Sequence, residues 1–163
     1  MFISPVQAHI VEQDSVSWEA LETFAPQSVV SRPASVPPEA VQYPYMSSGR
    51  CLVVRGTGNE APAVITTCNS AYADQFWLLE EVAAGYFQMR NVNSGKCLIV
   101  RGSANDARAV QYPCNAIYTD QHWSFDWREV GQLYNRNSGK CLYPLWVGNE
   151  APVVQQTCKV SPP

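Results

Sequence analysis

Histidine is nearly missing from this 163-residue chain, runs of basic residues are absent, and no apolar stretch is long enough to span a bilayer. Each gap removes a class of function. Only His9 and His122 are present, and no two cysteines stand at a C-x₂₋₄-C spacing, so zinc ligation lacks its usual donors. The 11 Lys and Arg are scattered and the net charge is −3. A nucleic-acid surface is not expected, because phosphate binding needs clustered cations. A membrane span is excluded too, since a helix needs roughly 20 apolar residues to cross. Residues 1–13 lack a basic start, a continuous apolar run and a small-residue cleavage site, so no signal peptide is read there. Charged residues make up only 15% of the chain, which reads as a soluble, mildly acidic surface.

Catalytic groupings are equally scarce. There is no Gly-rich phosphate loop, no metal-ligand cluster and no nucleophile–base pair. Glu80 and Glu81 are adjacent on an expected strand, so they point to opposite faces rather than to one substrate. The reading is a non-enzyme with no cofactor and no metal.

What the chain does have is a segment used three times. It reads Ser48-Gly49-Arg50-Cys51-Leu52, Ser94-Gly95-Lys96-Cys97-Leu98 and Ser138-Gly139-Lys140-Cys141-Leu142. The first cysteines lie 46 and 44 residues apart, and each is followed seventeen positions later by Cys68, Cys114 or Cys158. A fixed period of this size implies one supersecondary unit repeated and stacked on itself. Six cysteines in three matched pairs read best as the disulfides Cys51–Cys68, Cys97–Cys114 and Cys141–Cys158. Each closes a loop short enough to contribute about 3 kcal/mol by restricting the unfolded chain. Such bonds imply an oxidising, extracellular compartment, which conflicts with the unrecognised leader.

Within repeat 2, Tyr86–Arg90 alternates as a strand and Asn93-Ser94-Gly95 signals a turn into a second strand, Lys96–Val100. A polar loop, Arg101–Ala107, leads to a third strand at Arg108–Tyr112. Gln121–Trp127 is the fourth, its alternation placing Trp123, Phe125 and Trp127 on one face. By that alternation His122 is expected on the outer face, exposed. Four short strands per unit, three times over, predict an all-β fold that hides its edges by closure.

The pattern N-x-x-S-G-K-C-L … C … D-Q-x-W resembles the ricin B chain-type lectin domain, a β-trefoil with one Q-x-W per repeat. Gln75-Phe76-Trp77 and Gln121-His122-Trp123 each begin 24 residues after the first cysteine of their repeat. The resemblance covers residues 41–163, in repeats of about 41–85, 86–131 and 132–163, and implies a β-trefoil with pseudo-threefold symmetry. Residues 1–40 are read as an N-terminal extension ending in an extended Pro/Ser-rich linker, residues 27–40.

In repeat 3 the same offset places the glutamine at position 165, past Pro163, so the closing strand is not in its expected place. Three explanations stand open: residues 14–22 supply the strand, another molecule fills the slot, or the sequence is cut short. Asp14–Glu22 loosely echoes Asp74–Glu80 around Trp18, while Trp18, Leu21 and Phe24 also fit an i, i+3 helix face running to Pro26. If the extension fills the slot, deleting residues 1–26 destabilises the domain.

What the resemblance implies about sugar binding is carried by few residues. The family's principal carboxylate follows Cys-Leu, where this chain has Val53, Ile99 and Tyr143. Its aromatic lies two before the second cysteine, where Thr66, Tyr112 and Gln156 stand, so only repeat 2 keeps one. Before Q-x-W stand Asp74 and Asp120. The expected pocket is therefore Tyr112, Asp120 and Gln121, assisted by Tyr118 and Gln111, with Asp74 and Gln75 as a poorer counterpart in repeat 1. Arg55 and Arg101, ending the repeated V-R-G, are expected to point to solvent. The leading reading is a secreted, non-catalytic carbohydrate-binding domain whose partners are glycans or glycoconjugates. The alternative is a protein-interaction or protease-inhibitor module on the same scaffold, reaching a protein partner through residues 1–26 or the surface loops.

Overall fold

The thrice-used Ser-Gly-Lys/Arg segment is a tight turn. The Oγ of Ser48, Ser94 and Ser138 accepts the backbone N–H two residues on, at 3.2, 3.1 and 3.2 Å. The intervening Gly49, Gly95 and Gly139 sit at φ of +63°, +69° and +68°, where a side chain would be strained. Each turn thereby delivers its cysteine into a strand. The sequence motif is first a folding device.

A computed structural model describes residues 31–45, 47–126 and 132–159. Its strands are β1 (Val41–Gln42), β2 (Pro44–Tyr45), β3 (Arg50–Val54), β4 (Ala63–Thr66), β5 (Phe76–Ala83), β6 (Tyr86–Asn91), β7 (Cys97–Val100), β8 (Ala109–Tyr112), β9 (Trp123–Asp126), β10 (Gln132–Asn135), β11 (Cys141–Pro144) and β12 (Ala151–Gln156). All pairings are antiparallel. Three hairpins, β3–β4, β7–β8 and β11–β12, share one register, with Cys51 opposite Thr66, Cys97 opposite Tyr112 and Cys141 opposite Gln156. They touch in a cycle: Pro62 bridges Val110, Arg108 bridges Val154, and Pro152 pairs with Val64. Two further hairpins, β5–β6 and β9–β10, link successive repeats. This is the threefold, all-β architecture expected from the period.

The core follows the same symmetry. Leu52, Leu98 and Leu142 are buried together with Trp77 and Trp123 at the axis. Each indole Nε1–H donates to the carbonyl of its own repeat's leucine, Trp77 to Leu52 at 3.0 Å and Trp123 to Leu98 at 2.9 Å. A buried indole thus keeps its one donor satisfied. All three expected disulfides are present, each across a Cα–Cα distance near 5 Å (5.0, 4.9 and 4.9 Å).

Three differences from the sequence reading have physical causes. The fourth strand of repeat 2 begins at Trp123, because Thr119–Gln121 coils into a 3₁₀ turn closed by Gln121 N–H to Tyr118 O and His122 N–H to Thr119 O. Trp123 lies in the core, while Phe125 is half-exposed and packs 4.9 Å from the Phe87 ring; Trp127 is outside the described residues. His122 is buried, not exposed. The loop after Cys114 folds over it, and its Nε2–H reaches Ala116 O at 2.9 Å while its Nδ1 faces Arg136 at 3.3 Å.

Residues 33–40, read as extended linker, instead form two turns, Val36 N–H to Pro33 O and Ala40 N–H to Pro37 O. Val36 and Ala40 bury against Phe76, and the Arg32 guanidinium lies 4.5 Å from that ring's centroid. Proline pre-sets each turn and the two apolar side chains supply the burial, which composition alone hides. The reading that residues 14–22 close the third repeat concerns residues outside those described. At that seam the side-chain Oε1 of Gln132 and the hydroxyls of Tyr43 and Tyr45 are buried without a hydrogen bond. Gln42 and Gln88, at the same position in repeats 1 and 2, donate to Gln75 (3.0 Å) and Gln121 (2.7 Å).

Candidate functional site

Each of the first two repeats brings an arginine and an aspartate together from the end of its hairpin and the 3₁₀ turn that follows. In repeat 2, β7 delivers Arg101, β8 ends in Tyr112, and the turn carries Asp120. Asn135 holds this turn in place, donating from Nδ2 to Asp120 O at 2.9 Å, as Asn91 does to Asp74 O at 2.8 Å in repeat 1.

The glutamines belong to the frame. Gln121 is fully buried; its Oε1 accepts from Asn115 N–H at 2.9 Å as well as from Gln88, and its Nε2 donates to Pro113 O at 3.0 Å. Gln75 repeats this, with Asn69 N–H at 2.8 Å and Thr67 O at 3.1 Å. Gln111 accepts from Ser94 Oγ at 2.6 Å and donates to Gly58 O at 2.8 Å, pinning the neighbouring hairpin loop. None of these three amides faces solvent. Val53 and Ile99, at the positions after Cys-Leu, are buried too, at 0% and 1% exposure, so the wall there is apolar and sealed.

What faces outward is an arginine, an acid and an aromatic. The Arg101 guanidinium stands 4.5 Å from the Tyr112 ring centroid and is held by Glu60 of repeat 1, with Nε to Oε1 at 3.1 Å. Tyr118 is exposed beside the turn. One oxygen of Asp120, Oδ1, is buried without a partner, and desolvation pushes its carboxyl above the usual aspartate range against the pull of Arg101. In repeat 1, Arg55 lies 3.7 Å from Asp74 and donates to Glu150 of repeat 3 at 3.2 Å. Asp74 Oδ1 is likewise orphaned and its carboxyl raised by desolvation, while the hydrogen bond from Arg55 holds Glu150 low.

Thus Arg55 and Arg101 face solvent as expected, each side chain 52% exposed, while their guanidinium groups are tethered beside Asp74 and over Tyr112. The acids that steer them come from neighbouring repeats. Glu60, Asp106 and Glu150 occupy one threefold-related position with φ of +63°, +66° and +61°, a left-handed turn that directs each carboxylate to the next repeat. Sequence reasoning missed this because partners such as Arg101 and Glu60 are 41 residues apart. The repeated V-R-G with an acid five positions after the arginine was the only hint. In repeat 3 the pattern breaks: Leu145 replaces the arginine, Asp106 accepts from Gln156 at 2.6 Å, and the Lys159 ammonium lies 5.1 Å from the Tyr143 ring centroid.

Chemically, a half-buried carboxylate with an unfilled hydrogen-bonding capacity, in a group with guanidinium N–H donors and a phenol ring, can take paired hydroxyls and an apolar C–H face. Among the described residues no three His, Cys, Asp or Glu are grouped to hold a metal, and no helix is long and apolar enough to cross a membrane.

Comparison with known proteins agrees with the fold. The ricin-type beta-trefoil lectin domain family matches residues 43–162. No curated protein matches the chain. Among solved structures, the designed threefold-symmetric protein ThreeFoil aligns with a TM-score of 0.69 and 24% identity, over 76% of this chain and 92% of its own. An exo-beta-1,3-galactanase from Clostridium thermocellum aligns at 0.68 and 26% identity over 76% of this chain, which spans 28% of the enzyme. The C-half of the earthworm R-type lectin, solved with GalNAc, aligns at 0.60 and 10% identity over 76% of this chain and 92% of its own.

Proposed function

The chain belongs to the ricin-type beta-trefoil lectin domain family, and on that premise we propose that it is a non-catalytic carbohydrate-binding domain whose working pocket lies in repeat 2. Tyr112 offers the stacking face, the half-buried Asp120 carboxylate accepts sugar hydroxyls, and Tyr118 borders the entrance. Gln121 and Gln111 act by holding the turn and loop, with Asp74 and Gln75 in the same relation in repeat 1. The observation that carries this reading is that Arg101 stands between the desolvated Asp120 carboxyl, one oxygen of which lacks a partner, and an aromatic ring that only repeat 2 has at its position.

Binding displaces Arg101 from the ring. The displaced contacts are a partly exposed cation–π pair and an exposed ion pair, each worth about 1 kcal/mol or less. That cost is subtracted from the binding energy and lowers affinity per site. The three disulfides fit an extracellular protein meeting glycans or glycoconjugates. The test is a glycan array on the oxidised chain with Tyr112→Ala and Asp120→Ala beside it. Signal lost in both variants supports the pocket; equal signal in all three places any sugar site elsewhere.

A second reading, a protein-interaction or protease-inhibitor module, is favoured by the sealed Val53 and Ile99 and by the arginines tethered beside Asp74 and over Tyr112. It expects no glycan signal and protein capture that depends on the loops.

A further inference from the structure

The β11–β12 loop departs from its two symmetry mates in composition, backbone and bracing at once. Where the β3–β4 and β7–β8 loops carry Arg55-Gly56-Thr57 and Arg101-Gly102-Ser103, it carries Leu145-Trp146-Val147. All three side chains are exposed, at 46%, 52% and 67%. Gly56 and Gly102 take left-handed φ of +77° and +70°, whereas Trp146 is not among the residues of positive φ, so the chain follows another path there. The bracing differs too. Gln111 Nε2 donates to Gly56 O and Gly58 O, and Gln155 Nε2 to Gly102 O and Ala104 O. The matching residue beneath this loop is Ile65, which has no amide to give.

The surroundings are cationic. Asn149, three residues past Trp146, accepts from Arg50 Nε at 2.9 Å, and Lys159 lines the same shallow cavity as Leu145. Arg50 and Lys159 form no ion pair among the described residues, whereas Glu150 in this loop is neutralised by Arg55; Asp106, bonded to the neutral Gln156 amide, keeps its charge. The exposed apolar tip is three side chains wide, far below the roughly 800 Å² per partner of a stable protein interface. A Trp-led apolar tip flanked by cations suits instead the boundary between headgroups and acyl chains, where tryptophan concentrates and each cation adds attraction to anionic lipid.

We propose that the Leu145-Trp146-Val147 loop inserts into the surface of an anionic lipid bilayer, with Arg50 and Lys159 on the headgroups. This goes beyond the glycan reading and does not depend on it. The contact is weak alone and becomes useful when a second, tethered contact raises the local concentration.

The test is co-sedimentation of the oxidised full chain with sugar-free phosphatidylcholine vesicles containing about a third phosphatidylserine. Wild-type protein is expected to bind, with the lipid partition coefficient falling about tenfold in Trp146→Ser. Lys159→Gln is expected to lose about fivefold, and added salt to act in the same direction. The exposed positions leave the melting temperature unchanged, which separates loss of binding from loss of fold. No vesicle binding by the wild type, or equal binding by Trp146→Ser, overturns the proposal. So does loop-dependent capture of a protein partner without vesicle binding. A glycan signal that survives in Trp146→Ser leaves the lectin reading standing whichever way the vesicles decide.

Discussion

The Arg101 guanidinium covers one face of Tyr112, 4.5 Å from the ring centroid, while its Nε hydrogen-bonds Glu60 from the preceding repeat. The ring proposed to stack on sugar is thus already stacked on a cation. Removing the competitor should help binding. Arg101→Ala is expected to tighten glycan affinity about threefold to fivefold, in proportion to a cation–π contact worth somewhat under 1 kcal/mol. Tyr112→Ala should abolish binding. Titration of both variants by calorimetry checks this, and weaker binding by Arg101→Ala would make the arginine a ligand donor instead.

Asp74 and Asp120 are held above their ordinary pKa of 3.8, chiefly by desolvation. A folded pKa above the unfolded one means that the native state binds the proton more tightly. These groups therefore favour the fold at low pH and lose that contribution as pH rises from about 4 through the raised value. Asp74→Asn and Asp120→Asn should leave the melting temperature unchanged in acid. At neutral pH they should raise it by a few degrees, since each removes a desolvated negative charge, worth about 1 kcal/mol. If Asp120 is the sugar acceptor, the stabilised variant loses ligand.

Glu150 shows the opposite sign. Its pKa is lowered from 4.5, first by the hydrogen bond from Arg55, so it stabilises above that value and the gain fades as pH falls through the depressed one. Glu150→Gln is expected to lower the melting temperature slightly at neutral pH and not at all in acid. The effect should shrink in high salt, because the pair is exposed. Thermal scans across pH for this variant and Asp120→Asn should cross in sign.

Each disulfide ties the two strands of one hairpin within a single repeat. Replacing Cys97 and Cys114 together by serine should cost about 3 kcal/mol. The equivalent pairs in repeats 1 and 3 should cost about the same. Denaturant titration of the three double variants checks this, and a much larger loss in one repeat would mean that the unfolded-chain account fails there.

The strap at residues 33–40 is held by Val36 and Ala40 on Phe76 and by Arg32 over the same ring. Val36→Asp should destabilise the domain by about 2 kcal/mol, the cost of burying an unpaired polar group in place of an aliphatic one. Equilibrium unfolding measures it. An unchanged midpoint would return residues 33–40 to the status of a linker.

The spacing of Cys51, Cys97 and Cys141, the Ser-Gly turns and the Gln-x-Trp triplets determined the all-β threefold fold, its disulfides and its buried tryptophans. These features are local, or repeat at a fixed interval, so a linear sequence displays them. The tertiary structure alone decided which polar residues of the candidate site face solvent and which turn inward. Gln75, Gln111 and Gln121 turned inward because buried amides need partners, and those partners come from loops 6 to 55 residues away. Arg55 and Arg101 stay exposed, but Glu150 and Glu60, in left-handed turns of neighbouring repeats, fix which way each one lies. His122 was sealed by a loop whose path depends on Gln121, and Val36 found Phe76 through proline turns that composition reads as linker. Closing three repeats around one axis makes such contacts between distant residues, and no periodicity along the chain records them.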